Sequence, residues 1–505
     1  MFKRAALLYK LTFLFLFTCS IQYAKVVDIV FLHMNDVYEI TPLEGGKYGG
    51  LSRVAELRKQ LLKQNPNTYT VLPGDFISPS ALGTAEFEGK RINGAQMIDV
   101  LNTLGLDFAM FGNHEFDYKY EVLQDRMDES KFEWISSNVY HDQNGLRQSF
   151  RRIDHPIPQY VILKIPSSGK KMVRVGMIAL CIDVNKQPYV YYENSVDAGK
   201  RIYSEIKDSI DFLIAMTHLT IQQDKELAAA MPEIKFIMGG HEHFNMYVTQ
   251  DETIIAKADA NAKSVYVHHL LYDTKRKKLK IESELKTIDT AIKNDGATSE
   301  TVNKWVDRAF SGFRSKGFEP NEIVTTLNEP LDGLEINNRF YETNLGKVIG
   351  EAMYSVSRNS TAAIFNSGSV RIDDNLMGEI SQYDIIRTLP FGGKIIEIEV
   401  TGELLLKILN TGIANRGSRG FLQYYGIQYD SSSVSWGFNG HGIIETDTYN
   451  IAVSDYLLTG MEQNMSFLKR DNPGILKILE PQADDKSDLR NDIRLALIKY
   501  LKEKK

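Results

Sequence analysis

The chain has 505 residues, 43% of them hydrophobic and 25% charged, with a formal net charge of -6 at pH 7. These are the proportions of an ordinary globular protein of more than one domain. A mildly acidic chain has no electrostatic footprint for a nucleic-acid polymer, so any phosphate it binds must be met locally, by metal ions and a few arginines.

At the N-terminus, Lys3, Arg4 and Lys10 precede an apolar run over residues 11–17, far short of the ~20 residues that span a bilayer. The pattern predicts a secretory signal peptide over residues 1–24, cleaved after Ala24, and a secreted or periplasmic product with no transmembrane anchor after cleavage. Cys19 follows Leu16-Phe17-Thr18, a poor lipoprotein box, so lipid anchoring through it is the minor alternative. Loss of Cys19 with the signal leaves Cys181 alone and excludes an intramolecular disulfide. The charged end over residues 502–505 does not resemble the hydrophobic tail of a lipid-anchor signal.

Five apolar runs then read as buried strands: residues 27–32, 69–72, 108–111, 212–216 and 234–238. Each is followed by a short polar block: Asn35-Asp36, Gly74-Asp75, Gly112-Asn113-His114-Glu115, Thr217-His218 and Gly240-His241-Glu242-His243. Helical patterns at 50–63, 94–104 and 225–231 alternate with the runs, which predicts a layered α/β sandwich. A lone Asp36 or Asp75 after a strand is usually a turn former or helix cap. Five such blocks in series are another matter, because ligands presented where strands leave a sheet converge on one edge. Their mixture of oxygen and imidazole donors suits two divalent cations about 3.5–4 Å apart, and so hydrolysis of a phosphate ester. His33 lies inside its strand run and reads as structural.

Residues 298–313 read as one helix, capped by Thr298 or Ser299, with Val302, Trp305, Val306 and Phe310 at helical spacing and residues 317–320 ending it. The expected division is residues 25–290 for the first domain, 291–320 for an interdomain linker helix and 321–505 for a second domain.

The blocks resemble those of the 5'-nucleotidase and UDP-sugar hydrolase family of calcineurin-like metallophosphoesterases. That family reads Asp-x-His, Gly-Asp, Gly-Asn-His-Glu, His and Gly-His-x-(His, Gln or Asn), followed by a C-terminal nucleotide-binding domain. The resemblance runs from about residue 28 to about residue 468. It implies an α/β fold: a four-layer αββα sandwich followed by a second α/β domain. It also implies two divalent ions, Zn, Mn, Co or Mg. Asp75 would bridge both, Asn113, His218 and His241 would complete one site, and Asp36 and His243 would hold the other. His114 matches the catalytic histidine, with Asp117 orienting it. The chain departs from the family at Tyr38, where Asp-x-His ends in a phenol, and a weaker metal is expected there.

In the second domain Asn344-Leu345-Gly346 should open a helix, and the loop from Asn366 through Ser367-Gly368-Ser369 to Arg371 matches the family's Asn-Gly-Gly-Gly-Ile-Arg. A Gly/Ser loop of this kind suits a phosphate through backbone amides and a guanidinium. Arg339 aligns with a second phosphate-facing arginine, Phe391 and Tyr456 with the rings that clamp the base, and Glu462 with the acid that faces the ribose. The resemblance therefore implies removal of phosphate from a small nucleotide by a hydroxide held between the metals, with rotation of one domain against the other. UDP-sugars or 2',3'-cyclic nucleotides are the alternative substrates. An inactive nucleotide- or surface-binding protein, with Tyr38 as the lesion, is the distant one.

Overall fold

The computed structural model describes residues 26–504 apart from 168–170, 484 and 486. The expected signal segment and Cys19 lie outside the described residues. All five apolar runs form strands. In the first six-stranded sheet the order is Lys278–Thr287, Ser264–Asp273, Val26–His33, Thr68–Pro73, Phe108–Met110 and Glu133–Ile135. The last four of these run parallel. The second sheet has the order Tyr160–Pro166, Met172–Cys181, Phe212–His218, Ile234–Gly239, Thr253–Lys257 and Met246–Gln250. Its four middle strands are parallel.

Parallel strands must be covered on both faces, and these are. Helices Leu51–Gln64 and Ala95–Leu104 flank the first sheet, Ser195–Ile206 and Ile221–Ala230 flank the second, and one apolar core joins the sheets between them. Every residue of Phe212–His218 is buried. His33 is fully buried and ties the sheets together: its Nε2 donates to the Gly239 carbonyl at 3.0 Å, and its Nδ1 lies 3.3 Å from His268 Nε2. Burial lowers its pKa to about 3, so it is a neutral structural histidine.

The long helix spans Gly296–Ser315, starting earlier than Thr298 or Ser299 as cap would allow. Asp295 is the cap, and its Oδ1 accepts from both the amide and the hydroxyl of Thr298 at 2.9 and 2.7 Å. An ionised cap at the positive end of the dipole outcompetes the hydroxyls that follow it. Phe310 of this helix meets Tyr383 of the C-terminal part, ring centroids 5.0 Å apart.

The C-terminal part carries a five-stranded sheet in the order Leu422–Tyr425, Ala362–Asn366, Thr448–Ser454, Ile395–Thr401 and Ile475–Leu479. Helix Asn344–Val356 packs against it, opened as expected at Asn344 and capped by Thr343. The two parts join through buried polar contacts. Tyr383 donates to Glu39 Oε2 at 3.1 Å, and Arg387 Nε lies 4.0 Å from Glu39 Oε1.

Candidate active site

The polar blocks meet where the parallel strands end, the usual ligand edge of such sheets. Close approach of the strand ends explains the glycines. A Cβ on Gly74 would stand 2.4 Å from the Gly112 amide and 2.8 Å from the His218 ring, and one on Gly112 would stand 2.2 Å from Asp75 Oδ1. Asp36, Asp75 and His241 all adopt positive φ, at 51°, 56° and 83°. Each such residue costs about 1–3 kcal/mol, and clustering of this strain is characteristic of functional sites. Glu115, buried behind the cluster, holds the loops with its carboxylate. Oε2 accepts from the amides of Asp75 and Gly112 at 2.9 and 2.6 Å, and Oε1 accepts from Phe76 at 2.8 Å.

One ligand atom from each of Asp36, Asp75 and His218 lies within 4.8 Å of the others. Asp36 Oδ1, Asn113 Oδ1 and His218 Nε2 are buried without a hydrogen-bond partner. His218 Nε2 is 3.2 Å from Asp75 Oδ2, yet not in hydrogen-bonding geometry. Its Nδ1 is held by the Pro73 carbonyl at 2.9 Å, as the outer nitrogen of a metal-ligating histidine usually is. Unpartnered buried donors and acceptors converging on one point are costly unless something binds there, and this donor set fits a divalent cation. His241 stands beside His218, ring centroids 5.2 Å apart, and donates its amide to Asp36 Oδ2 at 2.9 Å. Burial and the neighbouring His218 lower the His241 pKa to about 3, so its ring is neutral with one nitrogen lone pair open.

The other side of the cluster is less complete. Tyr38 donates to Asp75 Oδ2 at 3.2 Å and lies 3.3 Å from His243 Nε2. Burial and the Asp75 and Asp36 charges push its hydroxyl well above its ordinary range, so it is a neutral phenol and a poor ligand for a divalent ion. His243 Nε2 is 3.8 Å from Asp36 Oδ1, and its Nδ1 donates across the domains to Asp373 Oδ2 at 2.7 Å. Burial disfavours charge on His243, but Asp373, Glu335 and Asp36 outweigh it and raise its pKa to about 10. A cation here would have to displace the Nε2 proton.

His114 is buried, its amide donating to Asp75 Oδ1 at 2.7 Å and its Nδ1 to Asp117 Oδ2 at 2.6 Å. Ser78 and Asn185 also donate to the Asp117 carboxylate, at 3.0 and 2.9 Å. Burial opposes ionisation of Asp117. The His114 imidazole, with Arg371 and Arg419, overcomes it and holds the carboxyl below its usual range. His114 Nε2 accepts from Arg419 Nη2, reaching in from the C-terminal part.

Of the residues singled out in the second domain, Asn366, Arg371, Phe391, Tyr456 and Glu462 line one interdomain cavity of 1290 Å³ together with Asn113, Asp117 and His241. Phe391 and Tyr456 are 61% and 41% exposed, unusual for aromatic rings and suited to stacking on a ligand. The Arg371 guanidinium lies 5.6 Å from the Phe391 ring centroid. Arg339 is elsewhere. Its guanidinium is bound to Glu335 at 2.7 Å and to the Ser367 carbonyl, and it lines a neighbouring cavity of 510 Å³ with His243, Glu335 and Asp373. The Gly/Ser loop does not offer its amides as expected. Ser367 and Gly368 donate to the carbonyls of Phe421 and Arg419 at 2.7 and 2.9 Å, because the loop packs against that segment as an extra layer of backbone pairing. Glu115, Ser78, Asn185, Asp373 and Arg419 carry no signal in the sequence that ties them to the cluster, apart from the place of Glu115 beside His114.

Residues 29–245 match the family model for calcineurin-like phosphoesterases, and residues 323–470 match that for the 5'-nucleotidase C-terminal domain. The chain belongs to the 5'-nucleotidase family of calcineurin-like metallophosphoesterases and is a hydrolase. It is 24% identical to the trifunctional nucleotide phosphoesterase protein YfkN of Bacillus subtilis over 86% of this chain and 32% of that one, so it spans about a third of that relative's length. It is 25% identical to the 5'-nucleotidase of Rattus norvegicus over 82% of this chain and 77% of that one. The fold is similar to the crystal structure of a 5'-nucleotidase precursor from Thermus thermophilus, with a TM-score of 0.73, 20% identity and coverage of 95% of this chain and 97% of that one. Among the described residues no helix is long and apolar enough to cross a membrane.

Proposed function

We propose that the protein is an exported phosphohydrolase that removes phosphate from small nucleotides in the manner of a 5'-nucleotidase. The observation that carries this is a cluster of unpartnered buried ligand atoms on Asp36, Asn113 and His218, opening onto a cavity with two exposed aromatic rings and a free guanidinium. Asp75, Asn113, His218 and His241 would hold one divalent ion, and Asp36, Asp75 and His243 a second, weaker one. When bound, such ions supply Lewis acidity toward phosphoryl oxygens and lower the pKa of water. Phe391 and Tyr456 grip the base, Glu462 serves the ribose side, and Arg371 takes the phosphate as a bidentate donor. Asp117 holds the His114 ring by its Nδ1 hydrogen, so that Nε2 faces the phosphoryl group and, when it carries a proton, donates it to the oxygen on which charge develops. The chain divides at residues 25–290, 291–320 and 321–505 in this reading, and rotation of the C-terminal part carries substrate to the cluster.

The second cavity supports a wider substrate range. Its 510 Å³ lies across Asn113, His114 and Arg419 from the aromatic rings, with room for the other alcohol of a UDP-sugar or a cyclic diester. The test is phosphate release by metal-stripped protein from AMP, UMP, UDP-glucose and 2',3'-cyclic AMP, with Mn²⁺, Zn²⁺, Co²⁺ or Mg²⁺ added back and a coupled phosphatase. Metal-dependent release from a monophosphate supports the nucleotidase. Silence on every substrate refutes it.

A further inference from the structure

Arg371 and Arg419 point into the same interdomain space, and neither is ion-paired to a carboxylate among the described residues. Arg371 Nε is buried with no hydrogen-bond partner. The side-chain hydrogen bond of Arg419 goes to a neutral acceptor, His114 Nε2, and not to an anion. The two guanidiniums repel each other across the cleft; Asp117 and Glu335 attract them from beyond ion-pair distance, and an anion that joins the two directly is favoured. The contrast is Arg339, whose charge is already met by Glu335 at 2.7 Å.

The segment bearing Arg419 is fixed from both sides. Gly417 donates to the Arg339 carbonyl at 2.8 Å, and Arg419's own carbonyl accepts from Gly368 at 2.9 Å. A Cβ on Gly368 would stand 3.0 Å from the Arg419 Cβ, so the glycine admits this close approach. Arg419 lines both interdomain cavities and stands where they meet, beside Asn113 and His114.

We infer that Arg419 is a substrate-binding residue for the phosphoryl group, acting with Arg371 as the second of two guanidiniums, while Arg339 is held by Glu335. This deepens the nucleotidase reading and rests on it. Arrival of the phosphate takes the Arg419 hydrogens from His114 Nε2, and so couples substrate binding to release of the ring atom that faces the reaction.

The test measures inorganic phosphate binding by calorimetry, and KM and kcat for AMP, on metal-loaded wild type, Arg419→Gln, Arg419→Lys, Arg419→Ala and the exposed neighbour Arg416→Gln. Loss of a charge-assisted bidentate contact should weaken phosphate binding and raise KM about 10- to 100-fold in Arg419→Gln. Lysine should restore part of the loss, guanidinium added to Arg419→Ala should restore activity, and Arg416→Gln should match wild type. Unchanged phosphate affinity in a folded Arg419→Gln would overturn the inference. The nucleotidase reading fails separately, if wild type binds phosphate but hydrolyses no nucleotide, and the Arg419 effect on phosphate binding remains readable in that case.

Discussion

Lys257 is the strongest structural lever on the site. It is fully buried, at ion-pair distance from the equally buried Asp224 (2.8 Å) and paired also with Glu242, and it donates to the Leu219 carbonyl at 2.7 Å. Glu242 sits between His241 and His243 and accepts the Ile221 amide at 2.6 Å, so this one ammonium anchors the loop carrying both histidines. Lys257→Met keeps most of the volume and removes the charge, stranding Asp224 in the core. Breaking a buried pair from one side costs about 3–5 kcal/mol, which for a domain of this size is a fall in Tm of roughly 10 °C. The pH dependence carries a sign. Burial raises the Asp224 carboxyl above its ordinary value even with Lys257 present, and without the ammonium it rises further. A folded-state pKa above the unfolded one means stability that is full below the unfolded value and is lost as pH climbs through the folded one. The deficit of Lys257→Met against wild type should therefore be small near pH 4 and largest at pH 7–8. Urea unfolding across that range measures it. A deficit under about 1 kcal/mol at neutral pH, or one that grows toward acid, would refute the reasoning.

Three further outcomes are expected. His114→Ala should lower kcat by about 10²–10⁴-fold with a much smaller change in substrate affinity, and Asp117→Asn should give a milder loss; single-turnover rates with metal saturating check both, and equal turnover in His114→Ala would end its assignment. Tyr38→His should tighten the second equivalent of Mn²⁺ or Zn²⁺ by at least about 10-fold, the scale that even an outer-shell partner commands; identical binding isotherms would show that the phenol is no handicap. Phe391→Ala and Tyr456→Ala should each raise KM about 3- to 10-fold for a nucleoside monophosphate, the worth of one aromatic contact, with inorganic phosphate binding unaffected; weaker phosphate binding would place the rings elsewhere than on the base.

The amino-acid order by itself determined the strands, the blocks at their ends and the family. Buried parallel strands are continuous apolar runs, and glycines such as Gly74 and Gly112 are forced where strand ends touch, so both leave local marks. The helix start at Asp295 is not legible in the same way, because hydroxyl and carboxylate caps lie within one turn and only the folded dipole ranks them. Tertiary structure alone decided the contacts between residues far apart in the chain: Glu115 gathering the loops, Asp373 on His243, and Arg419 on His114 across the domains. It also decided which arginine is free of an ion pair, since Arg339 and Arg371 look alike as letters and differ in whether a carboxylate stands at ion-pair distance. Pairing of charges is a property of distance and burial, and neither is written in sequence separation.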